Sequence, residues 1–373
     1  MKESDNNTQA FFAMLRAGLW EKSVRFMPFG KVDFEAILSL ADDQSVVGLV
    51  AAGLEHIVDL KPAKKDVLQF IGRVTQLEQR NRAMNSFIGG LVDTMRKEGI
   101  YTLLVKGQGV AQCYERPLWR ACGDVDFFLN DDSYEKAKKF LMPLASSVEK
   151  EVLAKKHIGM TIDSWVVELH GSLHSGLSSR IDDGLDLIKK DVFLKGNVRS
   201  WMNGDTQVFL LGPNNDVLYF FTHILQHFYK GGIGLRQICD WCRLLWTYRT
   251  EIDLHLLEKR LLRLKLMTEW KAFGAFVVSF LGMPVGAMPF YSANTKWKRK
   301  AERIKGFVMM SGNFGHKRDM SYYSKYPFFV RKAISMKRRI EDLLRHAVIF
   351  PLDSLRYFPK IMTDGFRNAV TGE

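Results

Sequence analysis

Between residues 64 and 97 the apolar residues Val67, Leu68, Ile71, Val74, Leu77, Met84, Phe87, Ile88, Leu91 and Met95 recur at intervals of three and four. That is the period of one long amphipathic helix, and Gly99 is placed to cap its end. Upstream, residues 8–60 predict short helices punctuated by Gly30 and Asp42-Asp43, with a break at Lys61-Pro62. Downstream the texture changes. Residues 101–105 and 125–129 are short apolar runs rich in β formers and predict strands, and residues 110–114 a short helix broken by Pro117. Asp131-Asp132-Ser133 predicts an N-cap for a helix over 133–141 that stops before Pro143. Residues 158–162 and 165–169 predict a hairpin turning at Asp163-Ser164. After Asp182 helical spacing returns and dominates to about Met283, and a further helix is expected over 327–350.

Helices, a small mixed sheet, more helices and a last helical stretch make an α+β chain rather than an alternating doubly wound one. The expected divisions are a helical region at 1–99, a sheet core at 100–180, a helical region packing on that core at 181–295 and a tail at 296–373. Residues 272–291 carry no charge over the length of a bilayer span. Pro284, Pro289 and three glycines within them favour a buried helix that ends near Met283.

Composition sets outer limits. Of 373 residues, 47% are apolar, 25% charged and 12% aromatic, which excludes a disordered or fibrous chain. The formal charge of +13 is uneven: residues 296–373 hold 18 basic and 7 acidic side chains, a net of +11, and leave about +2 for the rest. The basic pI therefore belongs to the tail and is no strong nucleic-acid signal. The tail helix mixes Lys337-Arg338-Arg339 with apolar residues, a pattern that could rest on an anionic membrane surface or acidic partner, or pack on the body with its cations in water. Four cysteines are too few for a disulfide scaffold, and the acidic, amide-rich start lacks the pattern of a signal peptide. A reducing, cytoplasmic setting is expected.

Candidate chemistry gathers in three stretches. Along a strand, side chains alternate, so Asp124 and Asp126 share one face and Val125, Phe127 and Leu129 the other. Paired carboxylates repel unless solvated or bridged by a divalent cation, and Mg²⁺ takes one or two carboxylates plus substrate phosphates. In the hairpin, Val166, Glu168 and His170 share a face, so Glu168 can supply a third carboxylate. Lys106-Gly107 follows another strand, where a glycine lets backbone N–H groups approach a phosphate. Together these describe a metal-dependent phosphoryl-transfer site.

The order Leu104-Val-Lys-Gly-Gln-Gly, then Arg120-Ala-Cys-Gly-Asp-Val-Asp, then Glu168-Leu-His resembles an uncharacterised bacterial nucleotidyltransferase family of the DNA polymerase β superfamily, over roughly residues 35–320. Thr222-His-Ile-Leu-Gln-His, the Gly234–Trp241 segment and Ser-Gly-Asn-Phe-Gly at 311–315 are similar to that family's helical part. The resemblance implies transfer of a nucleoside monophosphate from an NTP to a hydroxyl-bearing acceptor, with release of pyrophosphate. It implies two Mg²⁺ ions on Asp124, Asp126 and Glu168, with Glu168 helping to deprotonate the acceptor. Lys106, Gly107, Gln108, Gly109 and Arg120 would hold the nucleotide, and His170, His223, Arg236 and Asp240 would line the site. Gly107-Gln108 replaces the superfamily's usual Gly-Ser or Gly-Gly pair, so a serine contact to the triphosphate is missing, and the gap to Asp124 is longer than usual.

Other readings compete for the same residues. Asp-x-Asp also serves nucleotide-sugar glycosyltransferases, and the chain could be a non-catalytic interaction protein of the same fold. His223 and His227 have zinc-compatible spacing without an evident third ligand, and read better as a helix face near the site. Arg236 and Asp240 could simply pair. His157 precedes the hairpin and carries no assigned role, and Cys239-Asp-Trp-Cys242 reads as buried small residues.

Overall fold

The computed structural model describes residues 3–312 and 327–371. Helices α1 (Glu3–Trp20), α2 (Phe34–Asp43) and α3 (Val47–Glu55) precede α4 (Lys64–Lys97), the long helix its periodicity predicts. It buries Phe70, Val74, Met84, Ile88, Leu91 and Met95 along one stripe. The chain then runs through β1 (Leu103–Val105), α5 (Gly107–Ala111), β2 (Asp124–Phe128), α6 (Asp131–Leu141), β3 (Ala145–Val148), β4 (His157–Ile162) and β5 (Trp165–His170). Next come α7 (Ser179–Lys195), β6 (Val198–Asn203), β7 (Thr206–Leu211), α8 (Pro213–Lys230) and α9 (Leu235–Thr247). The chain continues with α10 (Leu254–Leu264), α11 (Met267–Leu281), α12 (Thr295–Ser311), α13 (Phe328–Ile349) and α14 (Pro351–Thr371).

Among the described residues the strands form one mixed seven-stranded sheet in the order β3-β4-β5-β2-β1-β7-β6. Its centre is the antiparallel pair β1–β2, and a hairpin joins each side through a parallel edge: β5 against β2, β7 against β1. The β6–β7 hairpin corrects the reading of the stretch after Asp182 as helical. Asn203 pairs with Thr206 across Gly204-Asp205, a two-residue turn with Gly204 at φ 61°. Local boundaries move too. Asn130, not the Asp131–Ser133 cluster, caps α6, accepting from the Ser133 amide, and the short helix after β1 begins at Gly107 rather than at 110.

The sheet separates two apolar layers. Val125, Phe127, Leu129, Val167 and Leu169 face the layer built by α4 and α6, with Met84, Ile88, Tyr134 and Leu141. The opposite layer is larger and aromatic, with Phe221, Trp241, Trp270 and Phe273 in mutual edge or stacked contact. No helix among the described residues is long and apolar enough to cross a membrane. The uncharged stretch at 272–291 is α11 stopped at Gly282, followed by a turn.

The tail folds back on the body. The Phe228 ring lies 4.7 Å from His346 and 5.9 Å from Phe350, and Tyr229 lies 5.0 Å from Tyr357. Ile340, Leu344, Val348, Leu352 and Leu355 remain exposed on its outer side. Residues 313–315 of the Ser-Gly-Asn-Phe-Gly segment lie outside the described residues.

Candidate active site

Strand register assembles the acidic cluster. β2 and β5 run parallel with Asp126 directly beside Glu168, and β4 places His157 opposite His170. On β1 Val105 pairs with Asp126, and the next residue, Lys106, turns at φ 59°. A non-glycine residue in that region is strained. Gly107 follows at φ 44°, and a Cβ there would stand 3.3 Å from Cys122 Sγ, so the tight turn suits glycine.

The result is a chain of charge contacts. Lys106 Nζ lies 2.7 Å from Asp126 Oδ1, and His170 Nε2 lies 2.8 Å from the same oxygen. His170 Nε2 is also 3.4 Å from Glu168 Oε2, which stands 3.0 Å from His157 Nε2. His157, Glu168 and His170 each offer one ligand atom within 4.8 Å of the others, a group able to hold a metal ion. Asp124 and Asp126 add oxygen donors on the same strand face. Hard oxygens suit Mg²⁺, whereas the imidazoles add an option for Mn²⁺ or Zn²⁺.

Electrostatics follow from this packing. Burial works against the Lys106 ammonium, but Asp126, with Tyr219, Glu168 and Asp124 beyond it, outweighs burial and raises its pKa. Burial alone would push Glu168 up; hydrogen bonds from His157 and His170 and the charge of Lys106 instead hold it well below the usual carboxylate range. Burial disfavours charged His170, yet Asp126 and Glu168 raise it above the ordinary histidine value. The charge of Asp126, and then burial, push Asp124 up. Burial and Lys106 depress both helix histidines, His223 far below its ordinary value and His227 to about 4.

These groups open into a cavity of about 710 Å³. Lys106, Gly107, Arg120, Asp124, Asp126, Glu168, His170, His223, Arg236 and Asp240 all line it, so the structure brings together these residues from distant parts of the sequence. Gln108 and Gly109 turn elsewhere. Gln108 Nε2 donates to Asn81 Oδ1 at 2.8 Å, while Asn81 Nδ2 donates to the Leu118 and Arg120 carbonyls, tying the turn and the Arg120 loop to α4. Gly109 packs against Leu210 of β7.

Arg120 lines the cavity but pairs with Asp240 rather than with Asp124. Its Nε and Nη2 donate to Asp240 Oδ1 and Oδ2 at 3.1 and 2.7 Å, and Tyr114 Oη donates to the same carboxylate at 2.7 Å. Arg236 Nη1 donates to the Ala121 carbonyl at 3.1 Å. His223 and His227 hold their Nε2 atoms 3.0 Å apart. Cys239 and Cys242 are buried and free.

Sequence reasoning missed several lining residues. The hairpin turn held the signal for His157: counting back from Ile162 opposite Trp165 puts His157 opposite His170. Lys155, Lys230, Arg339 and Lys360 gave no comparable signal, because loop, helix end and tail meet only in the fold. Lys360 donates to Asp182 Oδ2 at 3.0 Å, which brings α14 to the cavity.

The turn and the three carboxylates lie within a span that a family comparison matches. The profile of a family described as uncharacterised nucleotidyltransferase matches residues 30–282. The chain belongs to that family. The matched span ends short of the tail and of the segment at 311–315. No curated protein and no solved structure matches the chain.

Proposed function

We propose that the protein transfers a nucleoside monophosphate from an NTP to a hydroxyl acceptor. The observation that carries this reading is the registered pair Asp126–Glu168, with Asp124 on the same strand face and all three lining one cavity beside the Lys106-Gly107 turn. Three carboxylate groups are a donor set that fits divalent metal, and the crowding that pushes Asp124 up is relieved when a cation shares the site. Asp124, Asp126 and Glu168 would hold two Mg²⁺ ions, which when bound supply Lewis-acid polarisation of the phosphoryl oxygens.

The chain's own groups then divide the work. The acceptor oxygen bonds to the α-phosphorus, the bond from that phosphorus to the bridging oxygen of the β-phosphate breaks, and pyrophosphate leaves. Glu168, which stays charged beside His157 and His170, would complete the acceptor-side metal set and help take up the acceptor's proton. Lys106 offers a permanent positive charge beside Asp126. Gly107 leaves room for a phosphate near the turn. Gln108 and Asn81 brace that turn from α4, and the Arg120–Asp240 pair stands in the cavity wall.

A weak contact between the tail and an anionic membrane surface is supported by the exposed Ile340, Leu344 and Leu352 close to basic residues. Four buried free cysteines are in keeping with a reducing, cytoplasmic setting. The test of the activity is pyrophosphate release from each NTP with Mg²⁺, compared between wild type and Asp124→Asn. Equal release by both proteins would overturn the assignment. Turnover of a nucleotide sugar in place of an NTP would favour glycosyl transfer.

A further inference from the structure

The two histidines of the acidic cluster take no part in the bond changes proposed above, and their geometry is that of a ligand set. β4 and β5 run antiparallel with His157 opposite His170, and Glu168 stands two residues before His170 on the same strand face. The two rings lie 4.7 Å apart, tilted by 36°. Glu168 Oε2 is 3.0 Å from His157 Nε2 and 3.4 Å from His170 Nε2, so both imidazoles meet one carboxylate oxygen. Its second oxygen, Oε1, takes part in neither contact. All three residues are partly exposed and line the cavity, which gives an ion from solvent a way in.

In these contacts a proton lies between imidazole and carboxylate, and a divalent ion takes the same place when the protons leave. Bonds of about 2.0–2.2 Å from Zn²⁺ to nitrogen or oxygen put tetrahedral ligand atoms roughly 3.3 Å apart. Two edges of the set, at 3.0 and 3.4 Å, already have close to that length. The third, between the imidazoles, is at most 4.8 Å and shortens when either ring rotates. Two imidazoles and one carboxylate with an open fourth position are a zinc-type donor set, whereas Mg²⁺ prefers a shell of oxygens. Nitrogen donors also hold Zn²⁺ more tightly than Mn²⁺. A second carboxylate borders the seat: His170 Nε2 contacts Asp126 Oδ1 at 2.8 Å, and Lys106 is held on that same oxygen at 2.7 Å.

We infer that His157, Glu168 and His170 form a separate seat for a zinc-class divalent ion, joined through Glu168 to the carboxylates proposed for Mg²⁺. Two-metal sites hold their ions roughly 3.5–4 Å apart, and the two oxygens of Glu168 suit such a bridge. The seat goes beyond the nucleotidyl-transfer reading, because it binds metal with or without a nucleotide; only its link to Mg²⁺ rests on that reading. Its residues lie in the family-matched span, one on β4 and two on β5, so the seat needs nothing from the tail.

The test is calorimetric titration of the metal-free full chain with Zn²⁺ in a large excess of Mg²⁺. One equivalent should bind, and His157→Gln should weaken it at least tenfold, while Asp124→Asn and His255→Gln stay within threefold. Zn²⁺ that fails to bind against the Mg²⁺ excess overturns the proposal, because the ion would then depend on oxygens alone. An equal loss in His255→Gln, at an exposed position of α10, also overturns it, as scattered surface binding. A second measurement needs no variant and is untouched by misfolding of one. Co²⁺-loaded wild type should show two strongly shifted, exchangeable imidazole N–H signals in its proton magnetic resonance spectrum, one for each bound histidine; any other count overturns the seat. Pyrophosphate release is followed separately. Zn²⁺ uptake without release from any NTP upholds the seat and removes the transfer reading, whereas release without histidine-dependent uptake upholds transfer and removes the seat.

Discussion

Asp126 and Glu168 stand beside each other in register on neighbouring parallel strands, and neither faces the other bare. Lys106 and His170 meet Asp126, and His157 and His170 meet Glu168. Asp124 is different: the nearby Asp126 charge and its own burial push its pKa up. The three carboxylates are therefore unequal in both stability and chemistry.

Replacing Asp124 by Asn separates those two properties. The variant loses a charge that Asp126 repels, so its melting temperature should equal or exceed that of wild type. Pyrophosphate release should fall by about 100-fold or more, the scale of removing one preorganised charge-stabilising group. Thermal melting beside turnover decides it, and a lowered melting temperature would refute the repulsion argument.

The Arg120–Asp240 pair has the opposite character. Both side chains are almost fully buried, at 7% and 1% exposure. Asp240→Asn leaves a buried guanidinium without its counter-charge, and about 3–5 kcal/mol of stability should be lost in denaturant unfolding. A loss below about 1 kcal/mol would mean that water or a neighbouring group takes over the carboxylate's place.

Acid should act through His227. Burial and Lys106 depress its folded pKa to about 4, while the unfolded value is about 6.5. Between those values the unfolded chain binds a proton that the folded chain refuses, so stability falls as pH drops through this window and the slope ends near pH 4. The contribution is on the order of 3 kcal/mol across the window. Unfolding free energies of wild type and His227→Gln should therefore diverge in slope between pH 6.5 and 4; parallel curves would remove His227 as the cause.

Deleting residues 327–373 should destabilise the protein instead of trimming a solvated arm. It uncovers Phe228 and Tyr229 and removes Lys360 from Asp182. Early melting and aggregation in size-exclusion chromatography are expected. By contrast, Leu344→Ser with Leu352→Ser changes residues 61% and 73% exposed, so melting should hold. Cosedimentation with vesicles containing anionic lipid should drop in that pair, and unchanged sedimentation would leave the stripe without a membrane role.

Much of the fold was legible because its signals are local. The period of α4 and the Asp163-Ser164 turn need no distant partner, and strand alternation alone put Asp124 and Asp126 on one face. The β6–β7 hairpin had a signal in Asn203-Gly204-Asp205 that the surrounding helical spacing obscured; its place in the sheet depends on a parallel edge with β1. Gln108 read as a phosphate contact by its position after Gly107. Its true neighbour, Asn81, lies on α4, and no sequence spacing relates the two. The tail read as a basic arm because charge is visible in sequence and docking is not.

That docking has a consequence for inheritance. The carboxylate strands fall inside residues 30–282, whereas Arg339 and Lys360 reach the cavity from beyond that span. The proposed reaction chemistry and part of the chamber's wall thus come from different stretches of the chain. Changes confined to the two terminal helices would alter the cavity's rim and leave the carboxylate strands as they are, so the rim and the acidic floor are free to vary independently.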